Sequence, residues 1–386
     1  LITRAELSDM QRLFPQGKII GKKKQVFRLD FTYEVPSEED DEPAVLEGSI
    51  LDVRHFEGDV ETVLAGNMFT LDAMADNPDR SFVDPFGGRN DIKEKLVRTT
   101  ADADALFKEK PEAMMTAVRI AAETGFDLHK SVFDAMDNWR LLLKKMETEG
   151  PGTVRMELER ILTSDNAGKG LKMLAGTGLI AVVLGEDVAG KLSMSDTRSF
   201  NTLCDNIDKT RPVRERRLGL LYTAIAKKRA LPAIERMEFD EKTKTHLIDG
   251  VEKIIDINFL NTDKEFKRFL HKMGKERYMY LHNLGKAVRI VYDQPTMKVE
   301  SRNYMLGKIT GSGEPVFAED LVIDANDLLE AGIVETPEQA EEVLNLVVAL
   351  VHKNPKNNHR DVLLKYSRKY AKNKLAAKLR YVNWLR

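Results

Sequence analysis

At 386 residues and 43.8 kDa, with 42% hydrophobic and 32% charged residues, the chain can form two or three cored units and is too apolar to be a disordered polymer. Its single thiol, Cys204, excludes an internal disulfide and a multi-cysteine zinc ribbon, and points to the cytoplasm or another reducing compartment. Charge nearly cancels, 60 Lys and Arg against 62 Asp and Glu, so a uniformly basic or acidic protein is also excluded.

The chain opens on Leu rather than Met, as a fragment would, and no basic segment followed by an apolar run marks a secretory signal. Phe27, Leu29, Phe31 and Tyr33 alternate with Arg28, Asp30 and Thr32, the period-2 pattern of a half-buried strand. The stretch Glu34–Ser49, with Pro36, Pro43 and the acidic run Glu38–Glu42, reads as a connecting loop. A second strand over Ile50–Phe56 places Leu51, Val53 and His55 on one face and Asp52 and Arg54 on the other. After Asp84-Pro85-Phe86-Gly87-Gly88 the pattern turns helical as far as Leu184. Met114, Met115, Val118, Ala121 and Ala122 recur at helical spacing before a stop at Gly125, and Met156, Leu158, Ile161 and Leu162 follow the breaker Gly150-Pro151-Gly152. The most apolar stretch, Leu171–Leu184, contains Lys172 and falls short of the roughly 18–20 clean residues that span a bilayer, so no membrane contact is expected. A further helical region covers about 196–310. Thr336-Pro337-Glu338-Gln339 is a capping box with Pro at the first helical position, opening a helix striped by Ala340, Val343, Leu344, Val347, Leu350 and Val351. No period of about 20–50 residues recurs, so a solenoid is not supported.

Two segments concentrate positive charge. Lys353–Arg386 holds eleven Lys and Arg against Asp361, and Lys209–Arg229 holds eight against Glu215. Such segments on a neutral chain suit a polyanion, although a solvated helical face would look the same. There is no Walker motif, no Gly-x-Gly-x-x-Gly after a strand, no His-Glu-x-x-His and no Gly-x-Ser-x-Gly, so common nucleotide folds and hydrolases lose weight. His246, His271 and His282 read as structural, and Cys204 as a small buried hydrophobe rather than a nucleophile.

A strand Leu51-Asp52-Val53-Arg54-His55-Phe56 is followed by Phe69-Thr70-Leu71-Asp72-Ala73-Met74, then Asp84-Pro85-Phe86-Gly87-Gly88-x-x-Asp91-Ile92 and Arg98. This order resembles the class II tRNA nucleotidyltransferase and bacterial poly(A) polymerase family. The heads of that family carry Glu-Val-Thr-Thr-Phe-Arg, Arg-Arg-Asp-Phe-Thr-Ile-Asn-Ala-Met and Asp-Pro-Phe-Gly-Gly-x-x-Asp-Leu. The likeness continues through Ala117–Phe126, similar to Ala-Ile-Arg-Phe-Ala-Ala-x-x-Gly-Phe, and through Asp320–Leu329 with the capped helix after it. The resemblance implies an α+β chain, with a partial polymerase-β-like head sheet over 1–98 whose first catalytic strands are missing. An all-α neck over 99–190, body over 191–315 and tail over 316–386 follow. It also implies Mg2+ with ATP or CTP for an active member, and tRNA or another structured RNA held along the helical part by Lys and Arg. Arg214, Arg216, Arg217, Lys365, Arg368, Lys369, Lys372 and Lys374 are the expected RNA contacts. Asp52 matches the family's strand acid and is the expected catalytic and metal-binding residue, and Asp72, Glu109 and Arg119 are the expected nucleotide contacts.

The departures fall on functional positions. Arg-Arg-Asp of the ribose-recognition motif becomes Gly66-Asn67-Met68, and its later Asn becomes Asp72. The family's Glu-Asp-x-x-Arg, whose Asp and Arg template the incoming base, aligns with Glu109-Lys110-Pro111-Glu112-Ala113. An Ala methyl cannot donate to a base edge and an ammonium cannot accept from one. The Glu-Arg-Ile pattern is here Gly152-Thr153-Val154. The family's Gly-Gly-x-Val-Arg-Asp and Asp-x-Asp segments would lie before Leu1. Two readings follow: a nucleotidyltransferase acting on RNA 3′ ends with the usual CCA template lost, or a catalytically inactive RNA-binding paralogue, alone or in a larger RNA–protein assembly. The second leaves room for protein partners.

Overall fold

The computed structural model describes residues 1–21, 25–35, 45–76, 82–146, 150–185 and 194–372. Its residues fall into two compact units, one of Leu1–Glu149 with Met173–Leu179 and one of Gly150–Lys172 with Ile180–Arg386. The chain is α+β, mostly helical with a small sheet, as expected.

In the first unit β1 (Ile2–Thr3), β2 (Lys18–Ile20), β3 (Val26–Asp30) and β6 (Ile50–His55) form a sheet in the order β1-β6-β3-β2, with β1 parallel to β6 and the other pairs antiparallel. Phe27, Leu29 and Val53 project from one face and pack with Leu7 and Met10 of α1 (Leu7–Leu13). The β3 and β6 assignments follow the alternation in the sequence, but Phe31 and Tyr33 do not belong to the buried set. Asp30 Oδ1 accepts from the Thr32 amide (2.9 Å) and hydroxyl (2.6 Å), the strand ends there, and the two rings are 54% and 58% exposed. The ends of the expected loop are themselves paired, β4 (Tyr33–Val35) with β5 (Val45–Glu47); the acidic run lies outside the described residues. Beyond α2 (Val60–Ala65), α3 (Gly88–Glu94), α4 (Ala103–Glu109), α5 (Ala113–Thr124) and α6 (Lys130–Trp139) complete the unit. α5 buries Met114, Met115, Val118, Ala121 and Ala122, and Gly125, at φ 74°, ends it as a left-handed cap. A feature the periodicity does not foretell is a parallel pair of two-residue strands, β7 (Leu96–Val97) and β8 (Asp127–Leu128), which enclose α4 and α5.

The second unit is helical. It begins with α7 (Pro151–Thr163); α8 (Ala167–Gly176) and α9 (Leu179–Val183) follow, of which Met173–Leu179 is counted in the first unit. A middle group comprises α10 (Met194–Asn206), α11 (Arg214–Thr223), α12 (Lys227–Arg236) and α13 (Glu241–Lys253). α14 (Asp263–Met273), α15 (Lys275–Val291) and α16 (Met297–Gly311) surround Phe266, Leu270, Tyr278, Leu306 and Ile309. α17 (Ala325–Glu330), α18 (Pro337–Lys353) and α19 (Arg360–Lys372) share a core of Leu328, Val343, Val347, Val351 and Leu363. Thr336 caps α18 through the Gln339 amide at 3.3 Å, while the Gln339 side chain accepts from Glu335 rather than closing the box on Thr336. His352 of α18 is buried, with Nε2 2.9 Å from the Val316 carbonyl and its ring edge-on to His271 of α14 at 5.7 Å. Cys204 is buried, and desolvation pushes its thiol up to about 12, as a small hydrophobe requires. No helix among the described residues is long and apolar enough to cross a membrane.

Candidate nucleic-acid interface

Asp52 lies on the outer face of the sheet, opposite the face that carries Phe27, Leu29 and Val53. The antiparallel register sets it directly across from Arg28. Cross-strand partners project to the same side, and the guanidinium fork closes on the carboxylate, Nε to Oδ1 at 2.8 Å and Nη2 to Oδ2 at 2.9 Å. The Arg28 hydrogen bonds hold Asp52 below the usual carboxylate range and raise Arg28 above its own. A magnesium ion needs several oxygen ligands, usually including carboxylates. Here both Asp52 oxygens already accept N–H groups, and no group of three or more His, Cys, Asp or Glu that could hold a metal occurs among the described residues. Among the described residues, Asp52 is thus engaged by Arg28 and has no second or third acidic or histidine ligand beside it.

The segment 67–72 is laced to 98–100. Thr70 donates its amide to the Arg98 carbonyl (2.9 Å), Thr100 donates to Met68 (3.0 Å), and the Asn67 amide donates to the Asp72 carbonyl. Asp91, 2% exposed, accepts from the Thr70 hydroxyl at 2.7 Å and from Arg98 Nε at 3.0 Å. Asp84 caps α3, accepting from the amides of Gly88 (2.7 Å) and Arg89 (2.9 Å), and Gly87 takes φ 74°. A Cβ on Gly88 would stand 2.3 Å from the Thr70 carbonyl oxygen and 2.7 Å from Met74 Sδ. These matched positions therefore hold the turn and the helix start together.

Of the expected nucleotide contacts, two come within electrostatic reach of each other. Asp72 is exposed as a residue, yet desolvation pushes its carboxyl above the ordinary range, with Glu123 acting in the same sense and Arg119 against it. Arg119, largely buried, donates to Glu123 one helical turn away at 2.6 Å. Glu109 instead pairs with Lys110 at 3.8 Å and stays exposed. Ala113, at the templating Arg position, is wholly buried in α5.

The two basic segments differ. In the first, Arg217 is 2% exposed and donates to three carbonyls, Leu162 (2.7 Å), Ser164 (2.8 Å) and Thr210 (2.7 Å). It faces inward, against the expectation of a phosphate contact. Arg214 donates to Glu159 at 2.7 Å, and Arg216 is half-buried. Lys209 pairs with Asp293 and Lys227 with Glu252. The helical wheel held a signal for Arg217, since it sits on the stripe with Val213, Leu220 and Leu221. In the second segment, α19 packs Leu363, Leu364, Tyr366, Ser367 and Tyr370 inward. Lys365, Arg368, Lys369 and Lys372 stand exposed at i, i+3, i+4 and i+7, and none of the four forms an ion pair among the described residues. Lys374 lies outside the described residues. Residues missing from the expected set include Glu123, one helical turn from Arg119, and Glu159 and Arg28, whose partners Arg214 and Asp52 are distant in sequence.

The profile of a family described as a probable RNA and SrmB-binding site of polymerase A matches residues 125–189. The CCA-adding enzyme of Geobacillus stearothermophilus is 32% identical over 197 residues, 50% of this chain and 46% of the relative. That of Pediococcus pentosaceus is 24% identical over 299 residues, 77% of this chain and 69% of the relative. The alignments with the Geobacillus relatives span about half of their length. Among solved structures, the Bacillus stearothermophilus CCA-adding enzyme in complex with CTP superposes with a TM-score of 0.70 at 22% identity, covering 96% of this chain and 89% of the other. The Thermotoga maritima CCA-adding enzyme complexed with tRNA superposes with a TM-score of 0.54 at 17% identity, covering 93% and 82%. At these identities the superpositions establish a common fold.

Proposed function

We infer, from the premise that this chain belongs to the class II tRNA nucleotidyltransferase and bacterial poly(A) polymerase family, that it binds structured RNA of the tRNA class through its helical unit. The observation that carries this reading is the α19 row of Lys365, Arg368, Lys369 and Lys372, exposed on a helix whose other face is anchored in a core. Seven residues of α-helix span about 10 Å, so the four cations can follow neighbouring phosphates of one RNA strand. In this reading the chain divides into head 1–98, neck 99–190, body 191–315 and tail 316–386. Arg214 and Arg216 remain at the edge of the interface, whereas Arg217 braces it from inside.

The head supports binding more than templated addition. Lys110 and the buried Ala113 offer no matched donor and acceptor to a base edge, and Asp52 is neutralised by Arg28. The gathering of Asp72 with Arg119 favours a second reading, nucleotide transfer from ATP or CTP to an RNA 3′ end, and incorporation of labelled CTP or ATP into tRNA lacking its terminus is the result that would select it.

The test of the main reading is the full chain with Lys365, Arg368, Lys369 and Lys372 all changed to Gln. Kd for tRNA should rise at least about tenfold at moderate salt, and the slope of log Kd against log salt should fall by about two to four. An unchanged Kd and slope would remove α19 from the interface.

A further inference from the structure

We propose that Arg28 is a built-in counter-ion that takes the place of a divalent cation at Asp52, so that the outer face of the head sheet is self-neutralised and excludes Mg2+. The inference rests on the family reading of Asp52 as the strand acid. Its geometry comes from register: Arg28 and Asp52 are direct partners across β3 and β6, and the two parallel N–H···O bonds use both carboxylate oxygens. The surrounding charge reinforces it. Lys18 pairs in register with Arg28, Arg54 follows Asp52 by two residues on the same face, and both therefore share the side of the sheet that a dication would approach. The remaining acid of that face, Asp30, is turned into its own loop by Thr32. Three cations thus meet two carboxylates, each already accepting hydrogen bonds. The pair is open to solvent, with side chains 38% and 37% exposed, so burial does not account for the exclusion of an ion. The Arg28 fork, which spans both oxygens and neutralises their charge, and like-charge repulsion from Lys18 and Arg54 do.

The experiment uses the full chain without RNA and follows Mn2+, as a surrogate for Mg2+, by the loss of its free paramagnetic resonance signal. Wild type and Asp52→Asn should titrate alike, within about twofold, because Asp52 contributes no ligand. Arg28→Gln should gain Mn2+ uptake that Arg28→Gln/Asp52→Asn lacks. Mn2+ binding by the wild type that weakens tenfold or more in Asp52→Asn overturns the proposal. So does an Arg28→Gln chain that folds, by circular dichroism, and gains nothing over wild type. If Arg28→Gln does not fold, Arg28→Thr replaces it under the same criteria, since a neutral β-branched residue suits the strand and removes both the fork and the charge. The outcome is independent of tRNA affinity, so failure here and failure of the α19 reading are separable.

Discussion

Acidification should loosen the contact between α14 and α18. His352 is held neutral, its pKa pushed down to about 4 chiefly by desolvation, with His271, Lys267 and Arg268 acting in the same direction and the Val316 carbonyl opposing them. His271 is lowered as well, again by burial, against a favourable pull from Glu319. Lys267 is itself buried and paired with Glu314. In the unfolded chain His352 takes up its proton near its ordinary value of about 6.5, whereas the folded chain resists until about 4. Stability from this residue is therefore complete above about pH 6.5 and is lost as pH falls toward 4, because the unfolded state then binds more protons. Between about pH 7 and about pH 4.5 the loss is about 2.5 kcal/mol for His352 alone, and His271 adds to it with the same sign. Urea denaturation followed by circular dichroism at the two pH values measures it. The reference is His352→Gln, whose amide can still donate to Val316 and does not titrate. Equal losses in wild type and variant would refute the assignment of the acid sensitivity to this ring.

Two further substitutions probe the frame around the candidate sites. Arg217→Met should destabilise the second unit by about 3–5 kcal/mol, because three carbonyls lose a charged donor at once, while the α19 quadruple change should alter stability by no more than about 1 kcal/mol; chemical denaturation of both variants checks the contrast. Gly88→Ala should cost about 1–3 kcal/mol, since the added methyl meets the Thr70 carbonyl and Met74, and a thermal melt equal to wild type would show that the approach of α3 to Thr70 is looser than described.

Elements whose burial repeats with a simple period were legible beforehand. α5 and α18 each bury their expected stripe, with only Leu350 of α18 half-buried, and β6 sends Val53 inward as its alternation requires. The failures have physical causes of two kinds. Phe31 and Tyr33 extended an alternation past a turn that Asp30 and Thr32 form with their own side chains, and the Asp-x-Thr spacing was a readable sign of it. The partners of Arg217 and Asp52 escaped notice for another reason, because they come from other parts of the chain. A count of eight cations over 209–229 cannot register that the carbonyls of Leu162 and Ser164, at the end of α7, claim one of them. Nor can a strand pattern show that the residue opposite Asp52 is an arginine 24 positions away. The exposure of the α19 cations was legible because an amphipathic helix sorts its cations to one side without help from distant residues.

The short parallel pair β7·β8 makes the intervening thirty or so residues a closed lobe. Its clasp comprises two residues on each side, with the Asp127 amide on Lys95 and the His129 amide on Val97. A loop closed by so few bonds depends on the core of α5 to keep it shut, and α5 in turn depends on the closure for its position. A change that frees the clasp should therefore loosen α4, α5 and the Arg119–Glu123 pair together, which amide hydrogen exchange would register as one shared opening free energy across 98–126.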